Sequence, residues 1–279
     1  MRPLRALAAA GHEIAGVVSA PDRRRGRGGT VSPSPVKRAA IELGIPVHEH
    51  VADVADLGAD LGVVVAFGRL VRPEVLERLP MVNLHFSLLP RWRGAAPVER
   101  AILAGDDRTG VCLMALEAGL DTGPVYGCVE VQIGPRESAA ELAERLSLLG
   151  TGLLVERLSS LPESLGEPRP QSGDACYAAK IDPAELRIDW TAPAPAADRL
   201  VRVGRAWTTF RGKRLIVVRA EPAAAGAGTG GRPGTIEGDS VATGEGLLRL
   251  IEVQPEGRAP TAFSDWARGA RPLPGEALA

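Results

Sequence analysis

An uninterrupted apolar run, Leu61-Gly62-Val63-Val64-Val65-Ala66, constrains the fold of this chain more than any other feature. Runs of this kind, rich in β-branched residues and without polar alternation, are typical of strands that a parallel sheet buries on both faces. Candidate strands and helices alternate on both sides of it. The candidate strands are 13–19, 45–47, 82–85, 109–116 and 125–133. The candidate helices are 3–10, one that ends at about 42, 72–79, 96–104 and 138–159, and the last opens with the capping-box pattern Ser138-Ala139-Ala140-Glu141. This alternation predicts an α/β fold with a doubly wound, mostly parallel sheet.

The composition changes after about residue 160. Pro162, Pro168 and Pro170 lie close together and indicate a linker. Beyond Trp190, a helical patch is followed by short candidate strands separated by glycine-rich turns, which predicts a small β-barrel. The sequence therefore predicts a larger α/β domain at 1–160, a linker at 161–189 and a β-rich domain at 190–279.

Whole-chain properties exclude several classes of protein. The 279 residues carry a formal net charge of −1 at pH 7, so the charge of the whole chain does not indicate a nucleic-acid partner. No apolar run approaches the roughly 18 residues of a membrane helix, and the first residues lack the apolar core of a signal peptide. We therefore expect a cytoplasmic protein without a membrane partner, and nothing in the sequence requires more than a monomer.

The cysteines and histidines give little reason to expect a metal. Cys112, Cys128 and Cys176 are widely spaced and form no Cys-x-x-Cys pair, which predicts free buried thiols rather than a disulfide framework or a zinc site. The segment His48-Glu49-His50 has metal-binding side chains but no third candidate ligand nearby. We expect no metal site.

Two polar residues interrupt an otherwise apolar candidate strand, Val82-Asn83-Leu84-His85. Alternation places the side chains of Asn83 and His85 on one face, at the carboxyl end of the strand, where open α/β sheets bind ligands. Asp121 lies in the turn Gly119-Leu120-Asp121-Thr122-Gly123, from which it can reach the same space. An amide, an imidazole and a carboxylate together suit reaction at a carbonyl group.

Each of these three residues, taken alone, is more typical of a structural polar group than of a catalytic one. Their combination favours catalysis, in which Asn83 and His85 stabilise the charge that develops on the carbonyl oxygen. Asp121 then sets the protonation of the imidazole and assists proton removal from an attacking amine. The chain has no Gly-x-Ser-x-Gly elbow and no cysteine beside a histidine. Direct transfer between two bound substrates is therefore expected rather than a covalent intermediate.

A glycine-rich basic segment at 21–29 contains Arg23, Arg24, Arg25 and Arg27. Closely spaced guanidinium groups bind phosphate-rich surfaces through charge, without reading a base sequence. On composition alone, a solvated charged loop is the simpler explanation. The residues themselves leave both interpretations open.

The motif around the candidate strand is long and specific. Asn83-Leu84-His85, the run Ser87-Leu88-Leu89-Pro90-Arg91-Trp92-Arg93-Gly94-Ala95-Ala96-Pro97 and the turn at 119–123 resemble the formyltransferase superfamily that uses 10-formyltetrahydrofolate. The sequence of the longer run, 87–97, is similar to that of the methionyl-tRNA formyltransferases in particular. The resemblance covers nearly the whole chain and implies a Rossmann-like formyltransferase domain followed by an OB-like domain.

The resemblance also implies an activity and a set of site residues. The activity is transfer of the formyl group from 10-formyltetrahydrofolate to the α-amino group of methionyl-initiator tRNA, for translation initiation. The catalytic residues implied are Asn83, His85 and Asp121. The residues implied to contact the folate co-substrate are Ser87, Leu88, Leu89 and Pro90. The residues implied to contact tRNA are Arg23, Arg24, Arg25, Arg27 and Lys37, with Arg27 at the family's key arginine.

The chain departs from the family pattern at its start. The family begins with an apolar strand and a Gly-Thr-Pro turn, whereas this sequence opens on a candidate helix, so we expect that first strand to be lacking. Two alternatives therefore remain. One is a formyltransferase acting on a sugar nucleotide or small amine, and the other is a tRNA-binding protein that has lost catalysis because the strand is missing.

Overall fold

The computed structural model describes residues 1–25, 30–161, 165–223 and 231–279, with only the backbone described at 23–25 and 30. The chain divides into two compact units. Unit 1 comprises Met1–Pro97, Thr109–Val131 and Ala143–Ala178, and unit 2 comprises Val98–Arg108, Gln132–Leu142 and Ala179–Ala279. The boundary between the two units after Ala178 falls within 161–189, the segment predicted to be a linker. The domain boundaries at 160 and 190 stay predictions.

Short strands and helices alternate along the first part of the chain, as the sequence predicted. These elements are α1 (Arg2–Ala9), β1 (Val17–Val18), β2 (Arg23–Arg25), β3 (Thr30–Ser32), α2 (Pro35–Glu42), β4 (Val47–His48), β5 (Gly62–Val65), α3 (Pro73–Leu76), β6 (Met81–His85), β7 (Arg93–Gly94), α4 (Pro97–Ala104), β8 (Arg108–Ala115), β9 (Val125–Gln132), α5 (Ala139–Leu158) and β10 (Tyr177–Ala178). A short 3₁₀ helix also spans Val51–Val54.

The remaining elements form the β-rich part of the chain. They are α6 (Ala194–Val203), β11 (Trp207–Phe210), β12 (Lys213–Pro222), β13 (Ile236–Glu237), β14 (Ser240–Ala242), β15 (Leu247–Pro255), β16 (Thr261–Ala262) and α7 (Phe263–Ala270). Within the described ranges, no helix is long and apolar enough to cross a lipid bilayer.

The central sheet of unit 1 has four strands in the order β5-β6-β8-β9. Strands β5 and β6 are parallel, whereas β6 and β8 are antiparallel. Strands β1 and β4 form a separate parallel pair. This arrangement of helices around a mixed sheet confirms the predicted α/β class, with fewer parallel neighbours than expected.

The apolar run at 61–66 contains β5, but its environment differs from the prediction. All four residues of β5 are half-buried, and among the described strands β5 pairs with β6 alone, at an edge of the sheet. The strand with a completely buried interior is β8, in which Val111, Cys112, Leu113 and Met114 have no exposed surface. Burial depends on which neighbours cover a strand, and composition does not specify those neighbours.

Helix α5 packs against this sheet through a glycine. A Cβ atom at Gly150 would lie 2.8 Å from Cγ2 of Val111 and 3.5 Å from the δ-carbons of Leu84, so glycine permits the close approach of helix and sheet. Because Leu84 faces α5, its strand neighbours face the opposite side. The helix starts with the predicted capping box, in which Ser138 N donates to Glu141 Oε2 and Glu141 N donates to Ser138 Oγ.

The prediction of free thiols was wrong for two of the three cysteines. Cys112 in β8 and Cys128 in β9 form a disulfide, with Cα atoms 4.1 Å apart. Neighbouring strands bring the two residues side by side, although 16 positions separate them in the sequence and no spacing rule pairs them. Cys176 is free and half-buried.

Unit 2 is built on an antiparallel sheet in the order β11-β12-β15-β14-β13, with β16 paired to β15. Apolar side chains from this sheet and from α6 and α7 form one core. The large core residues include Trp190, Val201, Phe210, Leu215, Val217, Leu248, Leu250 and Phe263. This core confirms the predicted β-rich second domain. The alanine- and glycine-rich segment at 223–231 has the low complexity typical of a loop, but most of it lies outside the described residues.

Candidate active site

Strand β6 carries Asn83 and His85 at alternate positions, so both side chains lie on the face opposite Leu84. Their antiparallel partners in β8 are Met114 and Cys112. Within the described part of the chain, the side-chain amide of Asn83 makes no hydrogen bond. Its N–H donors are therefore available to a ligand.

One hydrogen bond fixes the ring of His85, and a carboxylate faces its other nitrogen. His85 is only 5% exposed, and Nε2 lies 2.8 Å from the carbonyl oxygen of Trp92. A carbonyl oxygen only accepts, so Nε2 must carry a hydrogen and donate it. Nδ1 lies 3.6 Å from Oδ2 of Asp121. In neutral His85, therefore, the nitrogen that faces the carboxylate has a free lone pair.

Asp121 reaches His85 from a tight turn, as the glycine spacing predicted. Asp121 has a φ of +52°, in the left-handed region, and a Cβ at Gly123 would lie 2.0 Å from the carbonyl oxygen of Ala115. The turn therefore packs closely against the end of β8. Oδ2 of Asp121 accepts a hydrogen bond of 2.8 Å from Gly94 N, so the carboxylate is fixed from the loop that follows β6.

The predicted folate loop, 87–90, continues directly from β6. Ser87 is completely buried, and its hydroxyl donates to the carbonyl oxygen of Arg91 at 2.6 Å, so this side chain shapes the loop. The peptide bond between Leu89 and Pro90 is cis. Leu88 and Leu89 are half-buried, and they are the members of the loop that a ligand can contact.

The predicted tRNA-binding residues are only partly described. The backbone of Arg23, Arg24 and Arg25 forms β2, which pairs antiparallel with β3, and Arg27 lies outside the described residues. Lys37 is described in full, and its ammonium group pairs with Asp22 at 2.8 Å. The charge of Lys37 is therefore already paired within the protein, whereas the family resemblance implied that this residue contacts tRNA.

No group of three or more histidine, cysteine or acidic side chains in the described residues could hold a metal ion. In the segment His48-Glu49-His50, the ring of His48 packs beside Gly16, where an added Cβ would lie 3.2 Å from Nε2. That ring contributes to packing in unit 1.

Several residues that complete the site were missed in the sequence. Trp92 supplies the carbonyl oxygen for His85, and its own N–H donates to Sγ of Cys176 at 3.2 Å. Gln171 contacts the backbone of the Asp121 turn and the side chain of Arg93. The contacts of Cys176 and Gln171 join positions 50 to 84 residues apart, and no local pattern indicates them.

Two family models match this chain. The formyl transferase model covers residues 3–158, and the model of the formyl transferase C-terminal domain covers residues 180–271. The chain belongs to the formyl transferase family. This finding confirms the family that the motif at 83–97 indicated.

This formyl transferase has curated relatives of similar length. The methionyl-tRNA formyltransferase of Jannaschia sp. (strain CCS1) is 44% identical over 290 residues, covering 99% of this chain and 95% of the relative. That of Ruegeria pomeroyi is 46% identical over 282 residues, covering 95% and 92%. The similarity thus extends over both family domains.

Solved structures share the fold of this formyl transferase. An N-formyltransferase from Helicobacter canadensis, in complex with folinic acid and dTDP-3-aminofucose, matches with a TM-score of 0.70 at 15% identity, covering 89% of this chain and 94% of that one. A methionyl-tRNA formyltransferase from Clostridium thermocellum matches with a TM-score of 0.55 at 18% identity, covering 68% and 88%. At these identities the likeness shows the fold alone.

Proposed function

We propose that this formyl transferase moves the formyl group of 10-formyltetrahydrofolate to the α-amino group of methionine carried by initiator tRNA. The relatives at 44% and 46% identity, which are methionyl-tRNA formyltransferases, support this choice of acceptor. One structural observation carries the chemistry. The Asp121 carboxylate lies 3.6 Å from Nδ1 of His85, on the strand that also carries Asn83.

The amide of Asn83 stabilises the developing oxyanion in this proposal. The amine nitrogen forms a bond to the formyl carbon, and the carbonyl electron pair moves onto the oxygen. Asn83 can donate to that oxygen because its amide has no partner among the described residues. His85 has a second donor at Nε2, which bonds to Trp92 here. For His85 to assist, the formyl oxygen must therefore replace the Trp92 carbonyl oxygen as acceptor.

His85 accepts the proton that the attacking amine loses, and Asp121 stabilises the protonated ring. The free lone pair on Nδ1 of His85 can accept it, and the resulting imidazolium lies 3.6 Å from the Asp121 carboxylate. The electron pair of the oxyanion then re-forms the carbonyl double bond as the bond between the formyl carbon and N10 of the folate breaks. N10 takes up one proton, so the reaction neither consumes nor releases a proton overall.

The binding roles are divided along the chain. We assign 1–160 to catalysis, with the folate co-substrate at the loop of Ser87, Leu88, Leu89 and Pro90, and we assign 190–279 to RNA binding. The arginines of the basic segment, 23–25 and 27, contact phosphates. Lys37 contributes less because Asp22 already pairs with it. The proposed enzyme acts as a cytoplasmic monomer without a metal ion.

A formylation assay with two acceptors tests the function. The purified chain, supplied with 10-formyltetrahydrofolate, is offered initiator methionyl-tRNA or a dTDP-amino sugar, and formylated product is quantified by mass spectrometry. We expect kcat/KM for methionyl-tRNA to exceed that for the sugar by about 10⁴-fold, since a site built for one polar acceptor rejects another that leaves its groups unpaired. Preference for the sugar, or tRNA binding without transfer, would contradict the proposal.

A further inference from the structure

One glutamine side chain outside the proposed catalytic set uses its whole hydrogen-bonding capacity at the candidate site. Nε2 of Gln171 donates to the carbonyl oxygens of Asp121 and Gly123, each at 2.8 Å. Oε1 accepts from Nε of Arg93 at 3.1 Å and from Nη2 of Arg93 at 2.7 Å. Among side chains, only the carboxamides of glutamine and asparagine have two donors and two acceptor lone pairs on one planar group, so few substitutions can keep this set of contacts.

These bonds connect the backbone of the Asp121 turn to the side chain of Arg93. Gln171 binds the carbonyl oxygen of Asp121 and the guanidinium group of Arg93, the residue before Gly94. Gly94 N in turn donates to Oδ2 of Asp121. The path from the Asp121 carbonyl through Gln171, Arg93 and Gly94 therefore closes on the Asp121 carboxylate itself.

The Asp121 turn needs such a restraint because the backbone conformation of Asp121 is an unfavourable one. Asp121 has a φ of +52°, a conformation that a residue with a Cβ adopts at a cost and keeps only where its surroundings hold it there. Gln171 binds the carbonyl oxygen of Asp121 itself and that of Gly123, two residues later. Gln171 therefore restrains the backbone at the residue whose carboxylate faces His85.

We propose that Gln171 is a positioning residue that sets the distance between the Asp121 carboxylate and Nδ1 of His85. This inference rests on the proposed function, because it gives Gln171 a role through the proton transfer assigned to His85 and Asp121. A displacement of about 1 Å at reacting groups lowers rates by about 100-fold. The contribution of Gln171 therefore falls on kcat, and the substrates keep their contacts elsewhere.

Two substitutions separate the contact with Asp121 from the contact with Arg93. We expect Gln171→Ala to lower kcat about 10- to 100-fold with KM for methionyl-tRNA nearly unchanged. Gln171→Glu keeps an acceptor for Arg93 but places oxygen against the carbonyl oxygens of Asp121 and Gly123. We expect it to be at least as slow as Gln171→Ala. Wild-type kcat in Gln171→Glu would overturn the inference.

A second background distinguishes positioning from a general structural role. Single-turnover rates are measured for Gln171→Ala alone, Asp121→Ala alone and the double variant. If Gln171 acts through Asp121, it has nothing to position once that carboxylate is gone, and the double variant is no slower than Asp121→Ala. An equal loss from Gln171→Ala in both backgrounds would overturn the inference. Failure of Asp121→Ala itself to slow transfer would instead contradict the proposed function.

The matched control is Ser172→Ala. Ser172 follows Gln171 in the chain, is exposed, and its hydroxyl makes no hydrogen bond among the described residues. We expect Ser172→Ala to keep the wild-type kcat, and thermal unfolding of all variants reports any loss of folding. A loss of kcat in the control as large as that in Gln171→Ala would overturn the inference.

Discussion

Replacing His85 by alanine is expected to lower kcat for formyl transfer by about 10³-fold, within the range of 10²- to 10⁴-fold typical of general acid–base catalysis. The substitution removes both ring nitrogens, so Trp92 loses the Nε2–H donor and Asp121 loses the group it faces at 3.6 Å. Steady-state kinetics with varied methionyl-tRNA measures the effect. We expect KM for methionyl-tRNA to change by less than about threefold, since the imidazole acts on the transition state.

His50→Ala is the matched control for this prediction. His50 is exposed and its side chain caps no helix, so kcat and the thermal unfolding midpoint are expected to stay at wild-type values. Equal losses in kcat and in affinity for methionyl-tRNA after His85→Ala would contradict the separation of chemistry from RNA binding.

Replacing Asn83 by alanine is expected to lower kcat by about 10²- to 10³-fold, the loss typical when one donor to an oxyanion is removed. Its amide makes no hydrogen bond among the described residues, so the substitution breaks no hydrogen bond there. The free energy of unfolding should therefore change little while the rate falls. Single-turnover kinetics and thermal unfolding of the same preparations measure the two quantities.

Asn83→Asp is the informative companion variant. It has nearly the same shape as asparagine but replaces the N–H donors by a carboxylate oxygen, which repels a developing oxyanion. We expect it to be no faster than Asn83→Ala. A rate for Asn83→Asp close to wild type would show that shape, and not donation, is what this position supplies.

The sequence predicted the parts of the site that depend on local geometry. Asn83 and His85 share a face because a strand alternates, and the glycines around Asp121 indicated a turn able to bring a carboxylate near. The capping box at Ser138 and Glu141 was predicted for the same reason, since it depends on positions three residues apart.

Features that depend on contacts between distant segments were not predicted. The edge position of β5 follows from its neighbours, and the disulfide between Cys112 and Cys128 follows from the adjacency of β8 and β9. Gln171 lies in a proline-rich stretch that indicated only a linker, yet it binds the Asp121 turn 50 residues earlier. Residue type and spacing along the chain do not predict contacts between segments that are far apart in the sequence.

The most direct test of this account is a double-mutant cycle on the single-turnover rate of formyl transfer, with His85→Ala, Asp121→Ala and the combined variant. Groups 3.6 Å apart that handle one proton act as a unit, so removing the second should cost little once the first is gone. We predict that the double variant is about as slow as the slower single variant. Losses that multiply, giving a double variant slower by the product of the two single effects, would contradict a shared proton-transfer role.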